Sequence, residues 1–248
     1  KIIQKINSSG ALVISIDIPT GLFMDDNSKN QPDGIIRADV TLTFETPKLA
    51  FLFPENEKFV GNWHVLDIGL DKKFIAELKS EYFFVTADFV SPMIQKRSKF
   101  SHKGTNGHAL IFSGSNGKTG ATVLCSKACL RSGAGLVTAF VPRDSLEILQ
   151  TANPEVMVIA DEEKDFITSV PDLNKYNAIG AGPGLGTEKQ TQNALKLLIQ
   201  NTKVPLVMDA DALNIISENK TWLSFLPEGS ILTPHPKEFE RLFGKTDN

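Results

Sequence analysis

The chain has 248 residues, 41% of them hydrophobic and 22% charged, with a formal net charge of −3 and a pI near 5.9. This balance fits a soluble globular protein with room for one large domain or two small ones, and it argues against the clustered basic surface that nucleic-acid binding needs. No apolar run reaches the length of a membrane span, and two cysteines make neither a disulfide framework nor a zinc set, so a cytoplasmic protein with no nucleic-acid or membrane partner is expected.

The chain starts at Lys1 inside what reads as the end of a helix (Ile2, Ile3, Ile6) closing at Gly10, and it stops at Asn248 shortly after another helix; it reads as a stretch of a longer protein. Ala11 to Ile16 is an apolar run that predicts a buried strand, ended by Pro19 and Gly21. Asp17 therefore falls at a strand's carboxyl end, where open α/β sheets bind ligands. On position alone it is equally well explained as a cap for the next turn. A polar loop through Asp25, Asp26, Asn30, Asp33 and Gly34 leads to a strand pattern from Ile35 to Phe44, and Trp63 to Ile68 predicts a third strand. The basic stretch Lys96-Arg97-Ser98-Lys99, with His102 and Lys103, reads as a solvated linker, the competing reading being a basic rim beside a phosphate site.

Residues His108 to Val137 read as an apolar strand (Ala109 to Phe112), a glycine-rich turn from Gly114 to Gly120, a helix and the start of another strand. Gly114, Gly117 and Gly120 let the backbone approach a ligand, a helix start aims free N–H groups at an anion, and Lys118 adds a full positive charge. The spacing is not that of a Walker A loop, because Phe112 stands five residues before Gly117, where a glycine is required. A phosphorylated ligand is expected; the competing reading is a tight turn that needs glycine for sterics alone. Cys125 and Cys129, four apart in the helix, share one face and read as small core residues.

Downstream, strand patterns at Gly135 to Val141, Val156 to Ile159, Tyr176 to Ile179, Val204 to Met208 and Ser230 to Thr233 alternate with helices at Thr187 to Gln200, to Ser217, and at Lys237 to Phe243. Alternation of this kind implies a parallel sheet with right-handed crossovers. The turn Gly180 to Gly186 misses the dinucleotide fingerprint because Leu185 and Thr187 occupy positions that call for glycine, yet its backbone is bare for a ligand. Asp209 and Asp211 suit a hydrated magnesium or a hydroxyl, and for Asp211 the structural role of a helix N-cap is the favoured reading. His235 lies between two prolines, and Glu238 in the following first turn is explained by the helix dipole alone.

In order, Lys103 to His108, Gly117 to Ala121, Arg131 to Leu136, Asn153 to Met157, Gly182 to Gly186, Met208-Asp209-Ala210-Asp211-Ala212-Leu213-Asn214 and Thr233-Pro234-His235-Pro236-Lys237-Glu238 resemble the C-terminal dehydratase domain of the NAD(P)H-hydrate repair enzymes, the YjeF or Nnr family. Asp17-Ile18-Pro19-Thr20-Gly21-Leu22, with Leu66 to Leu70, resembles the last part of that family's epimerase domain. The resemblance implies an α/β chain of parallel-sheet, three-layer domains: a Rossmann-like epimerase portion at residues 1–80, a linker at 81–102 and a ribokinase-like dehydratase portion at 103–248.

It also implies an activity. NADH and NADPH become hydrated on the nicotinamide ring to R and S forms; the epimerase interconverts these, and the dehydratase uses ADP or ATP to phosphorylate the S-hydrate hydroxyl and drive its elimination. Asp17 matches an epimerase substrate contact and Thr20 a potassium-site residue; Ala121, Gly184 and His235 match positions lining the hydrate site. Magnesium beside the nucleotide and a homo-oligomer are further expectations of the resemblance. His235 and Glu238 are similar to the Asn-x-x-Glu motif of ribokinase-like kinases, with His for Asn. The family's Asn-Asn-Gly-Gly-Asp-type loop is expected upstream of Lys1, and its Lys-Gly-containing nucleotide loop and Gly-x-Gly-Asp base beyond Asn248, so no catalytic residue is assigned within this sequence. The competing readings are a ribokinase-like kinase of a small molecule such as a vitamin precursor, and a non-catalytic nucleotide-binding module.

Overall fold

The computed structural model describes residues 1–94 and 96–245; Gln95, inside the segment read as a linker, and residues 246–248 lie outside the described residues. The chain divides into two compact units, Lys1–Lys96 and Arg97–Asn248, and the division falls within the 81–102 segment.

The first unit runs α1 (Ile2–Asn7), β1 (Ile14–Ile16), β2 (Val40–Phe44), α2 (Glu57–Val60), β3 (Asn62–Leu66), α3 (Lys72–Glu77) and α4 (Ala87–Val90). Its three strands are parallel, in the order β1-β2-β3. Leu22, Ile35, Ala50, Phe51, Phe59 and Val60 form the core, so it is supplied by the segments after β1 and β2 and by α2, with Trp63 of β3 packed against it. Two expected strands are shorter than their apolar runs. Before Ile14 the ladder gives way to the Asp39 carboxylate, which accepts from Val13 N at 2.8 Å. Ile35, Ile36 and Ala38 are buried without being strand, because Ile36 N donates to Thr20 O and Ala38 N to Phe59 O, both in loops or helix ends.

The second unit runs β4 (His108–Phe112), α5 (Thr119–Arg131), β5 (Leu136–Val141), α6 (Leu146–Ala152), β6 (Met157–Ala160), β7 (Ala178–Ala181), α7 (Lys189–Asn201), β8 (Leu206–Met208), α8 (Ala210–Glu218), β9 (Ile231–Leu232) and α9 (Pro236–Phe243). All six strands are parallel in the order β6-β5-β4-β7-β8-β9, that of a doubly wound dinucleotide-binding sheet. Side chains alternate across this sheet. Leu110, Phe112, Ile179, Ala181, Leu206 and Met208 pack on one face with α7, α8 and α9; Ile111, Val137, Ala139 and Val141 pack on the other with α5 and α6. The result is the three-layer α/β arrangement that the alternation of elements predicts.

Residues Gly180 and Ala181 are not loop, as the glycine-rich run suggested. They pair with Ile111 and Phe112 in the ladder, and the turn proper starts at Gly182. Strand β8 begins at Leu206 rather than Val204 because Pro205 has no N–H to give to a ladder. Cys125 and Cys129 share one helix face packed on the core beside Ile111, and burial pushes both thiols up, as expected for inert core residues. No helix among the described residues is long and apolar enough to cross a membrane.

Candidate functional sites

Each sheet presents its carboxyl edge as a separate candidate site. Of the non-glycine residues with positive φ, Asp17 (65°) follows β1, Glu45 (63°) follows β2 and Ala210 (49°) follows β8. Side chains rarely adopt this conformation, and it persists where the surroundings over-determine it. Strain is thus concentrated at the edge where parallel sheets bind ligands.

In the first unit, β1 ends and the chain turns sharply: Asp17 N donates to Leu42 O at 2.8 Å and Ile18 N to Ile16 O at 2.9 Å. The Asp17 carboxylate does not cap the following turn. Its Oδ1 accepts from Lys48 Nζ at 2.9 Å, Phe44 N at 3.2 Å and Thr43 Oγ1 at 3.3 Å. The Lys48 hydrogen bond is the largest influence on this carboxyl; burial opposes it, the Phe44 amide and Thr43 hydroxyl reinforce it, and the net effect holds the group below its ordinary range. Thr20, which the resemblance matches to a potassium site, is exposed, and its carbonyl accepts from Ile36 N at 2.9 Å. Among the described residues no cluster of three or more His, Cys, Asp or Glu is placed to ligate a metal.

In the second unit the chain leaves β4 toward β5 and β6 on one side and resumes at β7 on the other, so the crevice between β4 and β7 is the topological switch point. The two glycine turns meet there. Gly114 N donates to Pro183 O at 3.1 Å and Ser115 Oγ to Gly184 O at 2.8 Å. Gly184 adopts φ 63°, and a Cβ there would lie 2.9 Å from Lys118 O and 3.1 Å from Ala121 Cβ, so Gly184 and Ala121 are brought together as the resemblance implies. Gly182 is tighter still: a Cβ would lie 1.8 Å from Asp209 O, so the turn after β7 touches the turn after β8 through bare backbone. At the start of α5, Gly120 opens onto free space, and among the described residues the amides of Gly117, Thr119 and Gly120 have no acceptor. Unpaired N–H groups at the start of a long helix suit an anion.

Asp211 is not the N-cap of α8; Asp209 stands at that position, and Asp211 lies in the first turn. Its Oδ2 reaches back across the crevice, accepting from Gly186 N at 2.9 Å and lying 3.2 Å from Lys118 Nζ. One oxygen of Asp211 is thus engaged within the protein. His235 follows β9, two strands from β7, which places it about 10 Å along the edge from the Gly184 turn, given the spacing of neighbouring strands. Its Nδ1 accepts from Lys237 N at 3.1 Å and Glu238 N at 3.4 Å, while Glu238 Oε2 accepts from His235 N at 3.0 Å. This is a reciprocal capping box, so Glu238 does more than complement the helix dipole. The neutral imidazole carries its proton on Nε2, 3.3 Å from Glu238 Oε1, on a side chain 57% exposed.

Sequence reasoning missed three contributors. Lys48 carries no motif, and nothing in its spacing ties it to Asp17. Ser115 was read only as part of the turn, though its hydroxyl closes the crevice. Asp165, in the loop after β6, holds the glycine turn from outside by accepting Asn116 Nδ2 at 2.7 Å and, through its carbonyl, Asn116 N at 2.7 Å.

Fold and crevice together define the second unit as a ribokinase-like α/β domain, the class of a solved ribokinase-like superfamily protein from Enterococcus faecalis (TM-score 0.56, 26% identity, 66% of this chain and 59% of that one). A family profile described as NAD(P)H-hydrate dehydratase matches residues 109–248, more than half of the chain, and one described as YjeF-related protein N-terminus matches residues 1–50. The chain belongs to the NAD(P)H-hydrate dehydratase family. It is 34% identical over 253 residues to the bifunctional NAD(P)H-hydrate repair enzyme Nnr of Moorella thermoacetica (99% of this chain, 47% of that protein), and 32% identical over 244 residues to that of Escherichia coli (98% and 45%). It is also similar to the solved ADP/ATP-dependent NAD(P)H-hydrate dehydratase of Bacillus subtilis, co-crystallised with ATP and magnesium (TM-score 0.51, 27% identity, 64% of this chain and 55% of that one). The chain spans about half the length of the curated relatives it matches.

Proposed function

We propose that this chain is the central stretch of a bifunctional enzyme that repairs hydrated NADH and NADPH, with residues 1–80 in its epimerase, 81–102 joining the two portions and 103–248 in its dehydratase. The observation that carries the reading is the seam between the glycine turns after β4 and β7, where Gly184 is pressed against Lys118 and Ala121 below a helix start with free amides. A phosphorylated dinucleotide needs such a bare, cationic wall, and Ala121, Gly184 and His235 would line the hydrate site. His235 Nε2–H is the directed donor at the far end of that edge.

The driving reaction is transfer of a phosphoryl group from ADP or ATP to the S-hydrate hydroxyl, followed by loss of phosphate and restoration of the ring double bond. Asp209 and Asp211 would be the carboxylates to hold a hydrated magnesium, which would neutralise charge on the nucleotide's phosphates. In the first unit Asp17 contacts the substrate, and Thr20 contributes to a potassium site. A homo-oligomer in the cytoplasm completes the proposal.

The test is to express the complete gene product and incubate it with hydrated NADH and ADP, and separately with ATP, following absorbance of the reduced nicotinamide. Recovery of NADH with one of the nucleotides is expected. Absence of recovery with both would sink the dehydratase reading, and phosphorylation of a vitamin precursor by ATP would establish the kinase alternative instead.

A further inference from the structure

We propose that Lys48 is a positioning residue of the epimerase site: it pins one oxygen of Asp17 and leaves the other oxygen as the acceptor for a substrate hydroxyl. The inference rests on the epimerase reading of the first unit for its substrate, and on geometry for everything else.

The Lys48 side chain is only 14% exposed, unusual for an ammonium, and burial of such a group requires partners. It has them. An ammonium carries three N–H donors, and the three acceptors in reach are Asp17 Oδ1 at 2.9 Å, Phe44 O at 3.2 Å and Thr46 O at 3.3 Å. With every donor engaged by the protein, Lys48 is held in one place. Two of its partners are main-chain carbonyls around the end of β2, so the ammonium has a rigid seat.

The carboxylate it holds is asymmetric. Lys48 Nζ, Phe44 N and Thr43 Oγ1 all converge on Oδ1, and among the described residues Oδ2 has no hydrogen-bond partner. The Asp17 side chain is 40% exposed, on a residue at φ 65° at the carboxyl edge of the sheet. Such strain at a ligand-binding edge marks a residue held for function. The other acid nearby, Glu45, is turned away, its Oε2 accepting from Ile68 N at 2.9 Å, so Lys48 is the charged group that faces Asp17 from the β2 side. The arrangement offers one anionic acceptor, aimed and charged, to a hydroxyl such as the one whose configuration the reaction inverts.

The complete protein decides this in two ways. First, the Asp17 carboxyl carbon is titrated by NMR in the wild type, a measurement that needs no activity; its midpoint is expected below the ordinary 3.8, and a midpoint at or above 3.8 overturns the proposal. Second, interconversion of the R and S hydrates is followed against pH, at fixed potassium, for wild type, Lys48→Met and Lys48→Arg, with melting curves confirming folding. Lys48→Met is expected to lower kcat/KM about tenfold and move the acid limb to higher pH, whereas Lys48→Arg retains the charge and keeps the limb near its wild-type position. An unmoved limb in Lys48→Met refutes the positioning role. A wild type that leaves both epimers untouched refutes the function proposed above, and the titration still decides the geometry.

Discussion

At the carboxyl edge of each sheet a carboxylate is paired with a lysine, but the burial is inverted. In the first unit the lysine is sunk and the acid stands out: Lys48 is 14% exposed and Asp17 40%. In the second the acid is sunk and the lysine stands out: Asp211 is 19% exposed and Lys118 53%. A ligand entering the first edge meets an acceptor, and one entering the second meets a cation. The same pair of residue types thus presents an acceptor in one unit and a cation in the other, according to which partner is sunk. Phe44 O and Thr46 O capture Lys48; Gly186 N captures Asp211.

The comparison breaks most completely if the seam that creates the second pair is opened. A Cβ at Gly182 would lie 1.8 Å from Asp209 O and 2.9 Å from Ala212 Cβ, on a residue at φ 128°. Both contacts involve backbone or the first turn of α8, which have no flexible end to yield. Gly182→Ala is expected to destabilise the chain by about 3 kcal/mol or more in urea denaturation. A loss below about 1 kcal/mol would show that the turns after β7 and β8 separate at little cost.

The next largest effect lies behind the glycine turn. Asp161, 3% exposed, accepts from the amides of Glu163, Thr168 and Ser169 and from the hydroxyls of Thr168 and Ser169, and so folds the loop whose Asp165 grips Asn116. Burial pushes this carboxyl up, but the hydrogen bonds outweigh it and the net direction is down. Asp161→Ala leaves five donors to find new partners and is expected to cost about 2–4 kcal/mol at pH 7. Because the folded carboxyl titrates below its ordinary 3.8, its contribution is fully present above that value and fades as pH falls through the folded pKa. The gap between wild type and variant should therefore narrow below pH 3.8, and a gap that stays constant into strong acid would contradict the charged-acceptor account.

How much of this was legible in the sequence depends on whether the cause is local. Strand ends were legible because glycine and proline punctuate them: Pro19 and Gly21, Gly114 to Gly120, Gly182 to Gly186, and Pro234 and Pro236 each sit at a parallel strand's carboxyl end. The capping box at His235 and Glu238 was also within reach, since a capping side chain three residues before a glutamate is its signature. The strand order was not legible, because nothing local says that β7 returns to the far side of β4. The partners of Asp17 and Asp211 were hidden for the same reason: Lys48 lies 31 positions from Asp17, and Lys118 lies 93 positions from Asp211. Register in space, not spacing in sequence, selects those pairs.

The smallest effects sharpen the comparison most, because they set the two lysines against each other. Lys48→Met removes a buried charge with three hydrogen bonds and is expected to cost about 1–2 kcal/mol, the partial exposure of Asp17 tempering the loss. Lys118→Met removes an exposed amine from a pair that water already screens, so its stability cost should stay within about 0.5 kcal/mol. Its consequence should appear in binding instead. If the second edge receives the phosphates of a dinucleotide, loss of this cation raises KM for the hydrate about threefold to tenfold and flattens the dependence of KM on ionic strength, with kcat nearly unchanged, because the contact is made equally to ground and transition states. Measuring KM at two salt concentrations for wild type and Lys118→Met separates this from a structural role, which would leave the salt dependence intact. An unchanged KM and salt response would place the phosphates on the free amides of Gly117, Thr119 and Gly120 alone, and Lys118 would then serve only to seat Asp211 against Gly186 N.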